Sequence, residues 1–323
     1  MSLSIPDAAE LAARFGLGSA SGPMIPIARG VMGRVWRLET DAGRWAVKAL
    51  FDWASDAGAE TDVALQQAAA NAGVLLPPPV RSPAGRVVER IGERRWRVHQ
   101  WMDLPPPPVV PVDGALAASA GALLAALHGL ALAPPGGTSP WFTRQPPQGR
   151  WRELHARAVA AGAPWATALE AAMPAVAELG AVAAQAPPEP VLLCHCDLHP
   201  DNVRPAREGL AVLDWDHAGA LPPSWELGYV LVAWCVAPDG GVDADGARTL
   251  AAAYRERTGT APDRGLAMFA AAASAWLNFA AGQVAGALGG ADDEQRAFAL
   301  GNVTAMLAHP LTRETLTLLR EAL

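Results

Sequence analysis

Lysine is almost missing from this chain: of its 25 basic residues only Lys48 is a lysine, and all the others are arginine. Cysteine is scarce as well. Cys194, Cys196 and Cys235 are an odd number in a long chain, which excludes a disulfide framework and fits a reducing cytosol. No basic tract with interleaved aromatics occurs, so nucleic acid is excluded as the main partner. Residues 1–18 carry Asp7 and Glu10 and lack a basic segment followed by an apolar one, so no export signal is read there. Two uncharged stretches, 114–134 and 265–290, are mostly Ala and Gly and are interrupted by His128, Asn278 and Gln283. Leu116, Leu123, Leu127 and Leu130 recur at helical spacing, so buried helices rather than membrane spans are expected. A cytoplasmic protein without membrane attachment follows.

What is present is apolar material. Hydrophobic residues make up 51% and charged residues 18%, enough for a substantial core and unlike a disordered chain. At 323 residues the length suits two lobes sharing one cleft. The net charge of −7 is uneven: residues 1–103 carry 11 acids and 12 bases, the rest 21 and 13, giving +1 and −8. An anionic second part would tolerate a cationic ligand, and it would equally serve as a solvated surface.

Residues 5–15 read as a short amphipathic helix. Strand patterns follow at Ile25–Ala28, Arg34–Glu39 and Arg44–Ala49, with Asp41, Ala42 and Gly43 as a hairpin turn. A helix is expected over Ala57–Ala72, ended by Pro77–Pro79, then strands near Val87–Glu89 and Arg94–Trp101. The run Pro105–Pro108 forces a stiff extended segment, the natural lobe boundary. Beyond it helical composition dominates, except from Val191 to Gly219.

That exception reads LLCHCDLHPDNVRPAREGLAVLDWDHAG from Leu192 to Gly219. An apolar strand delivers a loop with Asp197 and Asn202 five positions apart, and a second strand, Leu210–Leu213, delivers Asp214. Phosphoryl transfer needs such a set. Mg²⁺ wants hard oxygen ligands and fills its remaining positions with water and phosphate, and one carboxylate must face the attacking hydroxyl. Asn202 and Asp214 suit the metal; Asp197 suits the hydroxyl.

HxDxxxxN followed by an aspartate on the next strand resembles the catalytic and metal-binding loops of kinases. HCDLHPDN with LDW is similar in particular to the aminoglycoside phosphotransferase and choline kinase superfamily, and the likeness extends over nearly the whole chain. The resemblance implies an α+β, protein-kinase-like fold: residues 1–103 as a small antiparallel-sheet lobe over the nucleotide, and 104–323 as a mostly helical catalytic and substrate lobe. It implies ATP or GTP as co-substrate with Mg²⁺, and a small hydroxylated acceptor, an aminoglycoside-like antibiotic first, with a cationic acceptor as one expectation. A metabolic kinase for choline, homoserine or methylthioribose stays open, as does a nucleotide-binding pseudokinase scaffold.

Residue by residue, WAVK ends at Lys48 where kinases place the lysine that holds the α- and β-phosphates. Arginine's planar fork cannot replace that compact ammonium. Glu60 resembles the helix glutamate that orients the lysine, with Asp56 and Asp62 as alternatives. Gly30 to Gly33 would let backbone amides approach phosphate. VHQWM precedes the proline run as the interlobe hinge does, so backbone groups near Gln100 and Met102 would bind the base. Glu226, in PPSWELGY, resembles the acid that braces the catalytic loop, and Cys196 stands where the family has glycine. Asp216 is similar to the acidic residue often seen after the metal-binding aspartate. His195 reads as scaffold, and Trp141, Trp151, Trp165 and Trp276 as core packing by default, with the lining of a substrate pocket as the alternative.

Overall fold

Valine, tryptophan and leucine alternate with polar residues through positions 33–50, and this pattern folds as pleated strands. The computed structural model describes residues 7–29, 33–50, 55–186, 190–261, 265–290 and 293–323. Helix α1 (Ala8–Phe15) is capped by Asp7 and leads to β1 (Ile25–Arg29), β2 (Gly33–Thr40) and β3 (Gly43–Leu50). The β2–β3 hairpin closes at Thr40 opposite Gly43, leaving Asp41 and Ala42 as the turn. Helix α2 (Asp56–Asn71) starts at Ser55, whose hydroxyl accepts from Gly58 N at 2.9 Å. Then come β4 (Pro79–Val80), β5 (Glu89–Ile91) and β6 (Arg94–Gln100). The antiparallel sheet runs β1-β2-β3-β6-β4, with β5 also on β6.

The two faces of this sheet differ. Trp36, Leu38, Val47, Trp96 and Val98 point to α1, packing with Leu11 and Phe15, and the Trp36 and Trp96 rings lie 5.4 Å apart. Each such side chain contributes about 1.5–3 kcal/mol by burial. On the alternate positions Leu50 meets Ala59 and Val63 of α2. Lys48 therefore lies on the face opposite the tryptophans, paired in register with Arg97 on β6.

Next come helices α3 (Gly114–Gly129), α4 (Pro140–Thr143), α5 (Gln148–Ala160) and α6 (Ala166–Ala183), then β7 (Leu192–Cys194). A 3-10 turn, Pro200–Asn202, opens the hairpin of β8 (Val203–Ala206) and β9 (Gly209–Val212). Strand β10 (Gly219–Leu221) pairs with β7, and α7 (Pro223–Cys235), α8 (Ala244–Thr258), α9 (Ala270–Gly289), α10 (Asp293–Ala308) and α11 (Arg313–Ala322) complete the described chain.

The chain divides into two units, Met1–Pro107 with Asp201–Ala218, and Pro108–Pro200 with Gly219–Leu323. The β8–β9 hairpin joins the first through Val212 N, which donates to Leu75 O at 2.8 Å. In the second, α3 lies so close to α8 that a Cβ on Gly121 would come within 2.1 Å of Leu250 O. Among the described residues one helix, α6, is long and apolar enough to cross a membrane by length and composition. It carries Pro174 and packs against α5 and α9. The whole is α+β, a small antiparallel sheet followed by a mostly helical remainder, as the sequence leads one to expect.

Candidate active site

In the first unit, strand alternation sends Lys48 away from the apolar core, and its ammonium finds two carboxylates. Nζ lies 2.7 Å from Asp214 Oδ1 and 2.5 Å from Asp216 Oδ2. Burial alone would lower the Lys48 pKa, but Asp214 and then Asp216 outweigh it and hold the group above its ordinary value. The lysine stays charged. Asp216 Oδ1 also accepts from Arg97 Nη1 at 2.5 Å, and the same nitrogen donates to Asp62 Oδ2 of α2 at 2.9 Å. Burial would raise Asp216, yet Lys48 and Arg97 keep it below the usual carboxylate range. Burial pushes Asp62 up to about 7 against the pull of Arg97.

Asn202 and Asp214 flank the ends of β8 and β9. Val203 pairs with Val212, and Leu213 N donates to Asn202 O at 2.8 Å, so the two residues stand at one end of the ladder. Asp214 has φ 50, in the left-handed region where aspartate is tolerated better than most side chains. An amide oxygen and a carboxylate so placed fit a hard divalent ion that keeps water and phosphate in its other positions.

Glu60 is not brought to Lys48. It is exposed on α2 and holds Arg81, at 2.8 Å to Nη2. The helix position two residues on, Asp62, turns inward instead. Gly33 is needed where it stands, because a Cβ there would come within 2.3 Å of Ala49 O. Gly30 lies outside the described residues. Gln100 ends β6 with its N–H given to Pro78 O at 2.8 Å, and Met102 follows, half-buried.

In the second unit, β7 delivers the loop of Asp197. The Tyr229 hydroxyl, on α7, donates to Asp197 Oδ1 at 2.9 Å, and His199 Nε2 lies 3.4 Å from Oδ2. Burial first, then the Asp197 carboxylate, push the Tyr229 phenol far up, so it remains a donor. His195 is fully buried, and its Nδ1 accepts from Asp197 N at 3.2 Å. It shapes the loop.

One turn before Tyr229, Glu226 is buried without exposure. Its Oε1 accepts from Cys196 N at 2.5 Å and its Oε2 meets His128 Nε2 at 2.6 Å, while His128 Nδ1 meets Tyr254 OH at 2.8 Å. Burial would raise Glu226, but His128 outweighs it and keeps the acid low. The Cys196 backbone has φ 64, a conformation that favours glycine. Cys194, His128 and Glu226 donor atoms also gather within 4.8 Å. Both imidazole nitrogens and both Glu226 oxygens are already engaged, and burial holds the Cys194 thiol protonated, so the set is a hydrogen-bonded brace. Trp151 and Trp165 are core, whereas Trp141 is exposed.

Sequence reasoning did not assign Arg97, Tyr229, His128 or Tyr254. The available signals were the alternation of β6 against Lys48, and the i,i+3 spacing of Tyr229 from Glu226.

The first unit thus sets a lysine, paired with a loop aspartate, beside a small sheet, and the second braces an HCD loop from a helix. Residues 24–262 match the phosphotransferase enzyme family (APH), and the chain belongs to that family. Among curated proteins no sequence matches it. Its structure is similar to a spectinomycin phosphotransferase, APH(9)-Ia, in complex with ADP and spectinomycin. That likeness has a TM-score of 0.68 at 14% identity and covers 98% of each chain. A microcompartment-associated aminopropanol kinase is similar at TM-score 0.61 and 17% identity, over 89% of this chain and 90% of the other. An amicoumacin kinase in complex with AMP-PNP, Ca²⁺ and Ami is similar at TM-score 0.58 and 14% identity, over 91% and 92%.

Proposed function

We propose that this phosphotransferase moves the γ-phosphoryl group of ATP or GTP to a hydroxyl of a small, amine-bearing molecule, an aminoglycoside-like antibiotic first. The observation that carries it is the pairing of the only lysine in the chain with Asp214. Lys48 holds the nucleotide phosphates, with backbone groups at Gly33, Gln100 and Met102 around the nucleotide. Asn202 and Asp214 hold Mg²⁺, which when bound neutralises phosphate charge. Asp197 takes the proton of the acceptor hydroxyl as its oxygen bonds to the γ-phosphorus, and the bond to the β,γ-bridging oxygen breaks to release ADP or GDP. Tyr229 holds the Asp197 carboxylate in place during that transfer. Three free, buried cysteines suit the reducing cytoplasm.

Likeness to the spectinomycin kinase over almost the full chain supports the antibiotic acceptor. The −8 of residues 104–323 supports a cation less than composition suggests. Asp243 caps α8, and Asp245 and Asp293 are tied to Arg248 and Arg296 on their own helices. Likeness to the aminopropanol kinase favours a metabolic amino-alcohol kinase as the second reading. ADP or GDP release from purified protein, measured over a panel of hydroxylated antibiotics and amino alcohols at low and high salt, separates the two. An antibiotic acceptor whose KM rises with salt supports the first reading; a best acceptor that is a small metabolite supports the second. No turnover with any acceptor, together with nucleotide binding, would leave a scaffold.

A further inference from the structure

Lys48 and Arg97 are direct register partners on β3 and β6, so their side chains leave the same face of the sheet toward α2. Arg97 is 1% exposed. Its Nη1 bridges Asp62 and Asp216, while its Nε and Nη2, like Asp62 Oδ1, are buried without a hydrogen-bond partner among the described residues. Through that one nitrogen Arg97 joins two acids, one on α2 and one on the loop after β9. Asp216, at the end of that bridge, is also a partner of Lys48.

We propose that Arg97 is a positioning residue for the nucleotide lysine: it ties Asp62 of α2 to Asp216, and Asp216 fixes Lys48. The link from α2 to the lysine, which the family resemblance gives to Glu60, runs here through two intermediates. This rests on Lys48 being the phosphate-binding lysine of the proposed kinase.

The test is calorimetric titration of the full-length protein with AMP-PNP and with GMP-PNP in Mg²⁺, alongside melting temperatures. Asp62→Ala should weaken nucleotide binding about tenfold, and Asp62→Asn, which keeps an oxygen for Arg97, should restore it to within about twofold. In a Lys48→Met background, Asp62→Ala should cost nothing further, since the bridge then has no lysine to place. A merely structural Asp62 would lower melting temperature without this coupling. Wild-type affinity in Asp62→Ala, or an equal loss with and without Lys48, overturns the proposal. Should Asp62→Ala fail to fold, Arg97→Lys carries the test: it keeps the charge but loses the bridging geometry, and unchanged affinity there overturns the proposal too. A wild-type protein that binds neither nucleotide is a different result, and it removes the kinase reading itself.

Discussion

The two units hold their candidate site acids by different means. In the first unit Asp62, Asp214 and Asp216 are held by the charges of Lys48 and Arg97. In the second, Asp197 takes a phenol hydroxyl, with His199 Nε2 3.4 Å from its other oxygen, and Glu226 takes a backbone N–H and an imidazole. A polyanion with its metal demands fixed opposite charges. In the proposed role of Asp197 as the group that takes a proton, the Tyr229 hydroxyl orients it without neutralising it. The rarest residues follow this division: the single lysine serves the first unit, and both tyrosines, Tyr229 and Tyr254, bond within the second.

Changing the shape of the charge in the first unit should have a large effect. Lys48→Arg keeps the cation but replaces a compact ammonium with a planar fork between two carboxylates, and activity should fall about 100-fold or more. A fully active variant would break the contrast. In the second unit, Tyr229→Phe removes one hydrogen bond to a charged group, so kcat should drop about tenfold with nucleotide affinity unchanged. A change in nucleotide affinity instead would mean that the tyrosine does not serve Asp197 alone.

The next effect concerns stability. Burial raises Asp62 from 3.8 to about 7, so its contribution is fully present below about pH 4 and is lost as pH rises through about 7. From pH 5 to 8 the wild type should therefore lose melting temperature relative to Asp62→Asn. Parallel curves would contradict the burial of an ionising acid there. The smallest change is expected at Cys196. Cys196→Gly relieves a left-handed backbone but loses a buried thiol, so stability should stay within about 1 kcal/mol and turnover should persist.

Much of this was legible in the sequence because chemistry was packed into short motifs. The spacing of Asp197, Asn202 and Asp214, and the WAVK motif ending at Lys48, mark the candidate residues, and the hairpin at residues 41–43 and the helix after residue 55 fall where the sequence leads one to expect. The linkage around Lys48 was not legible. Arg97 sits among Arg94 and Arg95 in a strand whose alternation does not say which arginine is buried, and only the pairing with Lys48 settles the face. Glu60 and Asp62 lie on one helix, and a rotation of two residues, about 200°, separates an exposed pair with Arg81 from the buried pair with Arg97. Nor does composition reveal that Asp201–Ala218 groups with the first unit.

The central claim is that Asp197 serves the acceptor and Asp214 serves the metal and nucleotide. Mg²⁺-nucleotide calorimetry and turnover, measured together on Asp197→Ala and Asp214→Ala, test it most directly. Asp197→Ala should bind nucleotide as the wild type does while turning over about 10²- to 10⁴-fold more slowly, and Asp214→Ala should lose Mg²⁺-dependent binding. Full turnover in Asp197→Ala, or normal Mg²⁺-dependent binding in Asp214→Ala, would contradict it.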